Sequence, residues 1–318
     1  MTGYIARRAV QAVVVLLLVT VIVFVMLHAL PGGTARAVLG ERATNVAIAQ
    51  FEKQNGFDQP LPVQYWRWLD RVLHGDLGFS YKQNESVSEL LAERLPKTML
   101  LAGVSVLLAL LVAIPLGFVQ ALRRNRLIDY VLTGGAFLFY STPAFWLALV
   151  LVTLFAIRFR IFPAQAPQGS IGQILADPAG LVLPVLTIAL VSIAFFSRYV
   201  RSSTLENLMQ DYVRTARAKG ASTMRVAFRH VLRNALVPVV TLVGLSLPFV
   251  FAGTLISEEI FNYPGTGLLF YNAAVARDYP VLLGVTLVVG VATVMGSLLA
   301  DICYALLDPR VRLTRERP

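Results

Sequence analysis

The sequence predicts an all-α membrane protein with six transmembrane helices, and three observations carry that expectation. Hydrophobic residues make up 57% of the chain and charged residues only 14%, where a soluble domain carries roughly a quarter charged. Six stretches free of Asp, Glu, Lys and Arg reach about 20 residues, the length that crosses roughly 30 Å of hydrocarbon. None alternates apolar and polar residues as a barrel strand must, and backbone amides in lipid have to be bonded internally, so each crossing is expected to be a helix.

The six runs are Ala9 to Ala35, Thr98 to Leu122, Tyr130 to Ile157, Pro178 to Ser197, Asn234 to Ser257 and Tyr279 to Ala300. The first follows Arg7 and Arg8 as a signal peptide does. At 27 residues it outlasts a signal h-region, and no trustworthy AxA-like cleavage site follows, so it reads as a retained span. Pro115, Pro143, Pro184, Pro238 and Pro248 fall inside these runs, where each permits a kink; static bending is the default reading. Asp301 follows 22 uncharged residues after Asp278, which sets it near a membrane interface rather than at the mid-plane of a proton relay.

Charge gives the orientation. With six crossings, the N-terminus, residues 123–129, residues 198–233 and the C-terminal tail share one side and hold 17 Lys and Arg against six acids. The other side, dominated by residues 31–97, holds 11 against 12. The basic side is expected in the cytoplasm with both termini. The net charge of +10 therefore reflects topology, and no nucleic-acid partner is needed to explain it. Cys303 is the single cysteine, which excludes an intramolecular disulfide and a Cys-rich metal site. The expected division is residues 1–97, the first span plus an external segment, and 98–318, a five-helix core with the loop 198–233.

The external segment mixes turn residues (Pro31-Gly32-Gly33, Asn55-Gly56, Pro60, Pro62) with an amphipathic helix from Val63 to Leu73. Its Tyr65, Trp66 and Trp68 suit an anchor lying flat at the headgroups of the lipid bilayer. In the loop 198–233, Asp211-Tyr212-Val213-Arg214-Thr215-Ala216-Arg217-Ala218-Lys219-Gly220 reads as a short helix with an acid first, bases in its last turn and glycine as the stop. Ser222 then caps a second helix with Met224, Phe228, Val231 and Leu232 on an apolar face and Arg225, Arg229 and Arg233 on a basic one. The arginine stripe suits anionic lipid headgroups. The small residues Thr215, Ala216 and Ala218 would let the first helix enter a groove in another protein.

Here the sequence resembles permease subunits of binding-protein-dependent ABC importers of the peptide and nickel branch. The coupling-helix pattern of that superfamily, Glu-Ala-Ala then Gly, falls on Arg214, Thr215, Ala216 and Gly220, so that one alanine and the glycine fit while the glutamate is replaced. The pattern's later proline meets Arg233, and proline comes only at Pro238. Branch-like segments span nearly the whole chain: Gly75 to Ser80, Arg94 to Thr98, Asp211 to Gly220, Arg233 to Pro238, Phe261 to Gly265, Ala276 to Pro280 and Leu307 to Arg310. The start Tyr4 to Arg8 and the long segment after the first span resemble the B-type subunit of the pair.

The resemblance implies a type I ABC importer permease fold in the cytoplasmic (inner) membrane, moving di- or oligopeptides, nickel, glutathione or oligosaccharides inward. It implies a second homologous permease, two ATPase subunits or domains and an extracytoplasmic solute-binding protein. ATP and Mg would be bound by the ATPases, with no cofactor in this chain. It places Asp211, Tyr212, Arg214, Thr215, Ala216, Lys219 and Gly220 in an ATPase-docking coupling helix. Glu258 and Glu259, with Phe261, Tyr263 and Pro264, read either as a solvated acidic turn or as an outward gate or binding-protein contact.

Other chemistry finds little support. No GxxxxGK[ST] occurs, so an ATPase partner is required, and no HExxH or GxSxG is present. His28, His74 and His230 fall in different predicted compartments, against a shared metal site. An ion-driven secondary transporter would want ionisable groups at mid-membrane, which the six runs lack. A scaffold without a transport cycle predicts that bulky residues at Ala216 and Gly220 leave uptake intact.

Overall fold

The computed structural model describes residues 2–28, 35–36, 39 and 42–307. The Pro31-Gly32-Gly33 turn and the Asp308-Pro309-Arg310 segment lie outside the described residues. The helices are α1 (Thr2–His28), α2 (Asn45–Asn55), α3 (Leu61–Leu73), α4 (Val87–Leu122), α5 (Leu127–Ser141), α6 (Ala144–Leu151), α7 (Ile171–Ala176), α8 (Pro178–Leu208), α9 (Asp211–Ala218), α10 (Thr223–Arg225), α11 (Val237–Ile260), α12 (Thr266–Ala276) and α13 (Tyr279–Leu307). Two-residue strands β1 (Phe79–Ser80) and β2 (Glu85–Ser86) pair antiparallel. Among the described residues four helical stretches are long and apolar enough to span a membrane, in α4, α8, Thr223–Gly244 and α13, and α5 with α6 makes a fifth.

The run Tyr130 to Ile157, expected as one helix, is two helices bent by 104°. The cause is local. Proline disfavours helical backbone in the residue before it, and Thr142 is extended at ψ 125. Pro143 opens α6 rather than kinking a continuous helix. At the end of α5 the Ser141 hydroxyl donates to Phe137 O at 2.9 Å and the Thr142 hydroxyl to Leu138 O at 2.7 Å. Pro238 likewise sits in the first turn of α11, where its missing N–H costs nothing. Of the five prolines, Pro115, Pro184 and Pro248 lie inside the continuous helices α4, α8 and α11.

The chain divides into two compact units, residues 1–99 with 264–295 and residues 100–263 with 296–318. In the first, Val87, Leu90 and Leu91 of α4 pack with Leu269 and Ala273 of α12 and Val281, Leu282 and Val285 of α13. Thr98 and Thr266, both buried, share a hydrogen bond at 3.0 Å, and Thr98 Oγ1 also accepts the Thr266 amide at 2.8 Å. The Ser80 hydroxyl donates to the buried Asp278 carboxylate, joining two segments quoted above for their family resemblance. The aromatics of α3 do not all face a bilayer. Tyr65 and Trp68 pack on Phe24 of α1 with ring centroids 5.5 and 5.9 Å apart, and the Tyr65 hydroxyl lies 3.0 Å from Thr20 Oγ1. Only Trp66 is left exposed.

In the second unit one cluster joins Leu147, Ala148 and Leu151 of α6 to Leu183, Val185 and Ile188 of α8, with Phe261 and Tyr263. Another sets Ala109 and Ala113 of α4 against Phe196 of α8. Lipid tails are as apolar as leucine, so helices in a membrane associate through close packing of small residues. At Gly117 of α4 the two helices meet closely: a methyl there would overlap the Ser197 carbonyl and Val200 of α8.

Candidate functional site

Helix α9 is built to stand as a separate, firmly terminated unit. Gln210 enters it in extended conformation, and Asp211, in the first turn, complements the helix dipole. The Thr215 hydroxyl donates back to Asp211 O at 3.0 Å. At the other end Gly220 takes the left-handed conformation at φ +81. Its amide bonds Arg217 O at 2.9 Å and the Ala221 amide bonds Ala216 O at 3.1 Å, the paired closure of a Schellman stop. The sequence-expected helix and its glycine terminator are therefore both present.

Its two faces differ in kind. Val213 is fully buried, and Tyr212 and Ala216 are half-buried beside it, in a cluster with Phe118 of α4, Val200 of α8, Val226, Ala227 and Val231, and Val239 of α11. The Tyr212 hydroxyl donates to Asn207 Oδ1 at 2.7 Å. The outward face carries Asp211, Arg214, Thr215, Arg217, Ala218, Lys219 and Gly220, all exposed. Arg214 and Asp211 approach at 3.6 Å with both side chains largely in solvent, a contact of little energetic weight. Tyr212 and Ala216, expected on the docking surface, thus belong mainly to the attachment. Thr215 and Ala218 remain the small residues that a groove could accept.

The following segment departs from expectation. Ser222 does cap, accepting from the Arg225 amide at 3.4 Å. From Val226 to Leu232, however, the backbone is π-helical, and the wider turn moves the buried register to Val226, Ala227, Val231 and Ala235. Met224 and Phe228, expected inside, are exposed. Phe228 meets Phe118 with ring centroids 5.2 Å apart. Arg225, Arg229 and Arg233 keep the exposed basic face.

Beside this cluster is an ion pair, its carboxylate buried and its guanidinium partly exposed, that sequence reasoning passed over. Arg201 of α8 grips Asp129 of α5 through two hydrogen bonds of 2.9 Å each. Asp129 also accepts from the Asn125 amide at 3.1 Å and the Thr133 hydroxyl at 3.3 Å. The available signal was an acid one residue ahead of an uncharged run.

The acidic pair splits. Glu259 is exposed, whereas Glu258 is fully buried and is no solvated turn. Phe261 and Tyr263 are buried core residues, and Pro264 is buried as well. Phe261 O accepts the Ala166 amide at 2.8 Å, and Asn262 O accepts from Gln168 at 2.6 Å. Burial, then the Glu258 carboxylate, pushes the Tyr263 phenol above its ordinary range. Such a neutral, enclosed ring is a packing element, which leaves Glu259 and Asn262 as the parts of this corner that face outward.

Residues 113–313 match the family described as binding-protein-dependent transport system inner membrane component, and residues 1–102 match its N-terminal region. The chain belongs to this family. Its members are permease subunits, and the chain is accordingly an inner membrane component of a transport system. The oligopeptide transport system permease protein AppB of Bacillus subtilis (strain 168) is 39% identical over 98% of this chain and 99% of its own length. A putative peptide permease protein of Brucella suis biovar 1 (strain 1330) is 40% identical over 99% and 100%. Among solved structures, a chain of the MetNI methionine ABC transporter in inward-facing form matches with TM-score 0.52 and 16% identity, over 69% of this chain and 96% of that one. That likeness concerns the fold.

Proposed function

We propose that this chain is one of two paired permease subunits of an ATP-driven importer that moves di- or oligopeptides across the cytoplasmic membrane into the cell. The observation that carries the reading is α9, a terminated helix with a charged outward face whose inner face is packed on the ends of α4, α8 and α11. A helix so attached passes a push on its outer face to three long helices at once. Two relatives of matching length and about 40% identity that are named for peptides support the substrate class.

On this reading six helices cross the membrane: α1, α4, α5 with α6 as one broken span, α8, the segment ending in α11, and α13. Both termini and α9 lie in the cytoplasm, in keeping with the 17 bases against six acids on that side. Helix α9 seats in a groove on an ATPase subunit, offering Arg214, Thr215, Arg217, Ala218 and Lys219, while Tyr212 and Ala216 hold it to the permease. Two ATPases bind ATP and Mg, and this chain holds neither. Glu259 and Asn262 face the solute-binding protein. ATP favours one arrangement of the assembly over the other, and that unequal binding drives the change of access.

Reconstituted in vesicles with its second permease, ATPases and binding protein, the assembly is expected to hydrolyse ATP faster when peptide-loaded binding protein is supplied. Equal rates with and without binding protein and peptide would refute the reading.

A further inference from the structure

The first unit holds a half-open cavity of about 380 Å³ beside the end of α1, lined by Phe24, Phe57, Trp68, Phe79, Tyr81 and Tyr279 together with charged residues of α3. Its size lies within the range of small-molecule sites, which are mostly apolar with a few converging polar groups. Arg67 and Arg71 stand four residues apart on α3 and both line the cavity. Like charges at that spacing repel, and neither arginine makes an ion pair among the described residues. Asp70, between them in sequence, also lines the cavity, and its carboxylate lies 3.8 Å from His74 Nδ1. Gly56, at φ +71, leaves room where a side chain would crowd the Arg67 guanidinium.

Two further wall residues carry unmet hydrogen-bonding capacity. Tyr279 is 3% exposed, and its hydroxyl and the Gln64 amide oxygen are shut off from solvent with no hydrogen-bond partner among the described residues. The Gln64 nitrogen is occupied, donating to Phe57 O at 3.0 Å and Gln59 O at 2.7 Å. Buried polar atoms of this kind are rare, and each calls for an explanation.

We propose that this cavity is a binding site for a small ligand that joins an anionic group, carboxylate or phosphate, to an apolar or aromatic body. The two guanidiniums take the anion, in the geometry that arginine favours for carboxylate and phosphate. The rings of Phe24, Trp68 and Phe79 take the body. Two sources supply such chemistry: a short peptide with a free C-terminus, and a lipid with a phosphate headgroup. The site does not depend on the transport reading, because every residue in it belongs to one unit of this chain.

Trp68 reports on the wall directly. The chain has three tryptophans, so in a Trp66→Phe, Trp146→Phe background of the full chain, purified in detergent without partners, Trp68 is the remaining one. Its emission is expected to change saturably on titration with the dipeptide Ala-Phe or with short-chain phosphatidylglycerol, and to respond more than tenfold less tightly to Ala-Phe amide than to the free acid. Saturation by the lipid alone assigns the anion to a headgroup, and saturation by the peptide acid alone assigns it to a peptide terminus. Arg67→Gln and Arg71→Gln, on exposed positions that leave folding intact, are expected to weaken binding of the responding ligand about tenfold, with Arg71→Lys recovering part of the loss. No saturable change with either ligand, or equal binding by both arginine variants and the parent, overturns the proposal.

Discussion

Val213 shows how one side chain ties a solvent-facing helix to the rest of its unit. Truncation to alanine removes buried methyl groups from a packed cluster, and about 2 kcal/mol of stability is expected to go with them. Thermal unfolding in detergent measures the loss, and the assembled transporter is expected to keep ATP hydrolysis while peptide uptake falls. Arg201 and Asp129 work by pairing. Arg201→Leu strands a buried carboxylate and is expected to cost roughly 3 kcal/mol, whereas Asp129→Leu with Arg201→Leu costs less than either single change; a double-mutant cycle on unfolding midpoints separates the two outcomes. Asp278 sets a pH dependence. Burial pushes its carboxyl above the ordinary range, outweighing the Ser80 hydroxyl, the Val281 amide and the Lys82 charge that pull it down. A carboxyl raised in the fold contributes stability that is full below the unfolded value of about 4 and lost as pH rises through the folded value. The midpoint of unfolding is therefore expected to fall as pH rises above about 4, and Asp278→Asn is expected to flatten that slope.

At the scale of elements, α9 was legible in the sequence because its ends announce themselves: an acid first, bases last, and Gly220 as a left-handed stop. Replacing Gly220 with valine forces a β-branched residue into that conformation and is expected to cost about 1–2 kcal/mol, with asparagine far milder; loss of transport with valine and retention with asparagine checks that the terminator matters. The orientation of α9 was less legible. Period 3.6 alone cannot say that Tyr212 and Ala216 turn inward, since the partner surface comes from α4, α8 and α11, far away in sequence. The following segment misled for a different reason. Its hydrophobic spacing was counted at the α-helical period, and the π turn over residues 226–232 replaced Met224 and Phe228 inside by Val226 and Ala227. The corner at Glu258 to Pro264 misled through composition: acids and aromatics suggest a surface, and only the pairing with Ala166 and Gln168 shows a buried joint.

For the molecule as a whole, charge-free length was a sufficient guide to where the long helices lie, because lipid leaves the backbone few alternatives. Hydropathy carries no information on which helices touch, so neither the return of residues 264–295 to the first unit nor the closeness of α4 and α8 could be read from it. Gly117→Val is expected to part those two helices and to lower both thermal stability and yield in membranes, which solubilised size-exclusion profiles would register; an unchanged profile would mean that α4 can shift to make room.

The break between α5 and α6 bears on how the chain is made. A membrane insertion machine meets residues 130–157 as one uncharged stretch, yet the folded form turns sharply in its middle. Such a turn ordinarily exposes carbonyls that wait for a neighbouring subunit. Here Ser141 and Thr142 return their hydroxyls to Phe137 and Leu138, so those carbonyls are already bonded when the segment leaves the machine. The broken span can then mature before any companion subunit arrives, and a cell making this chain alone is expected to accumulate it intact, whereas one making Ser141→Ala, Thr142→Val is expected to degrade it.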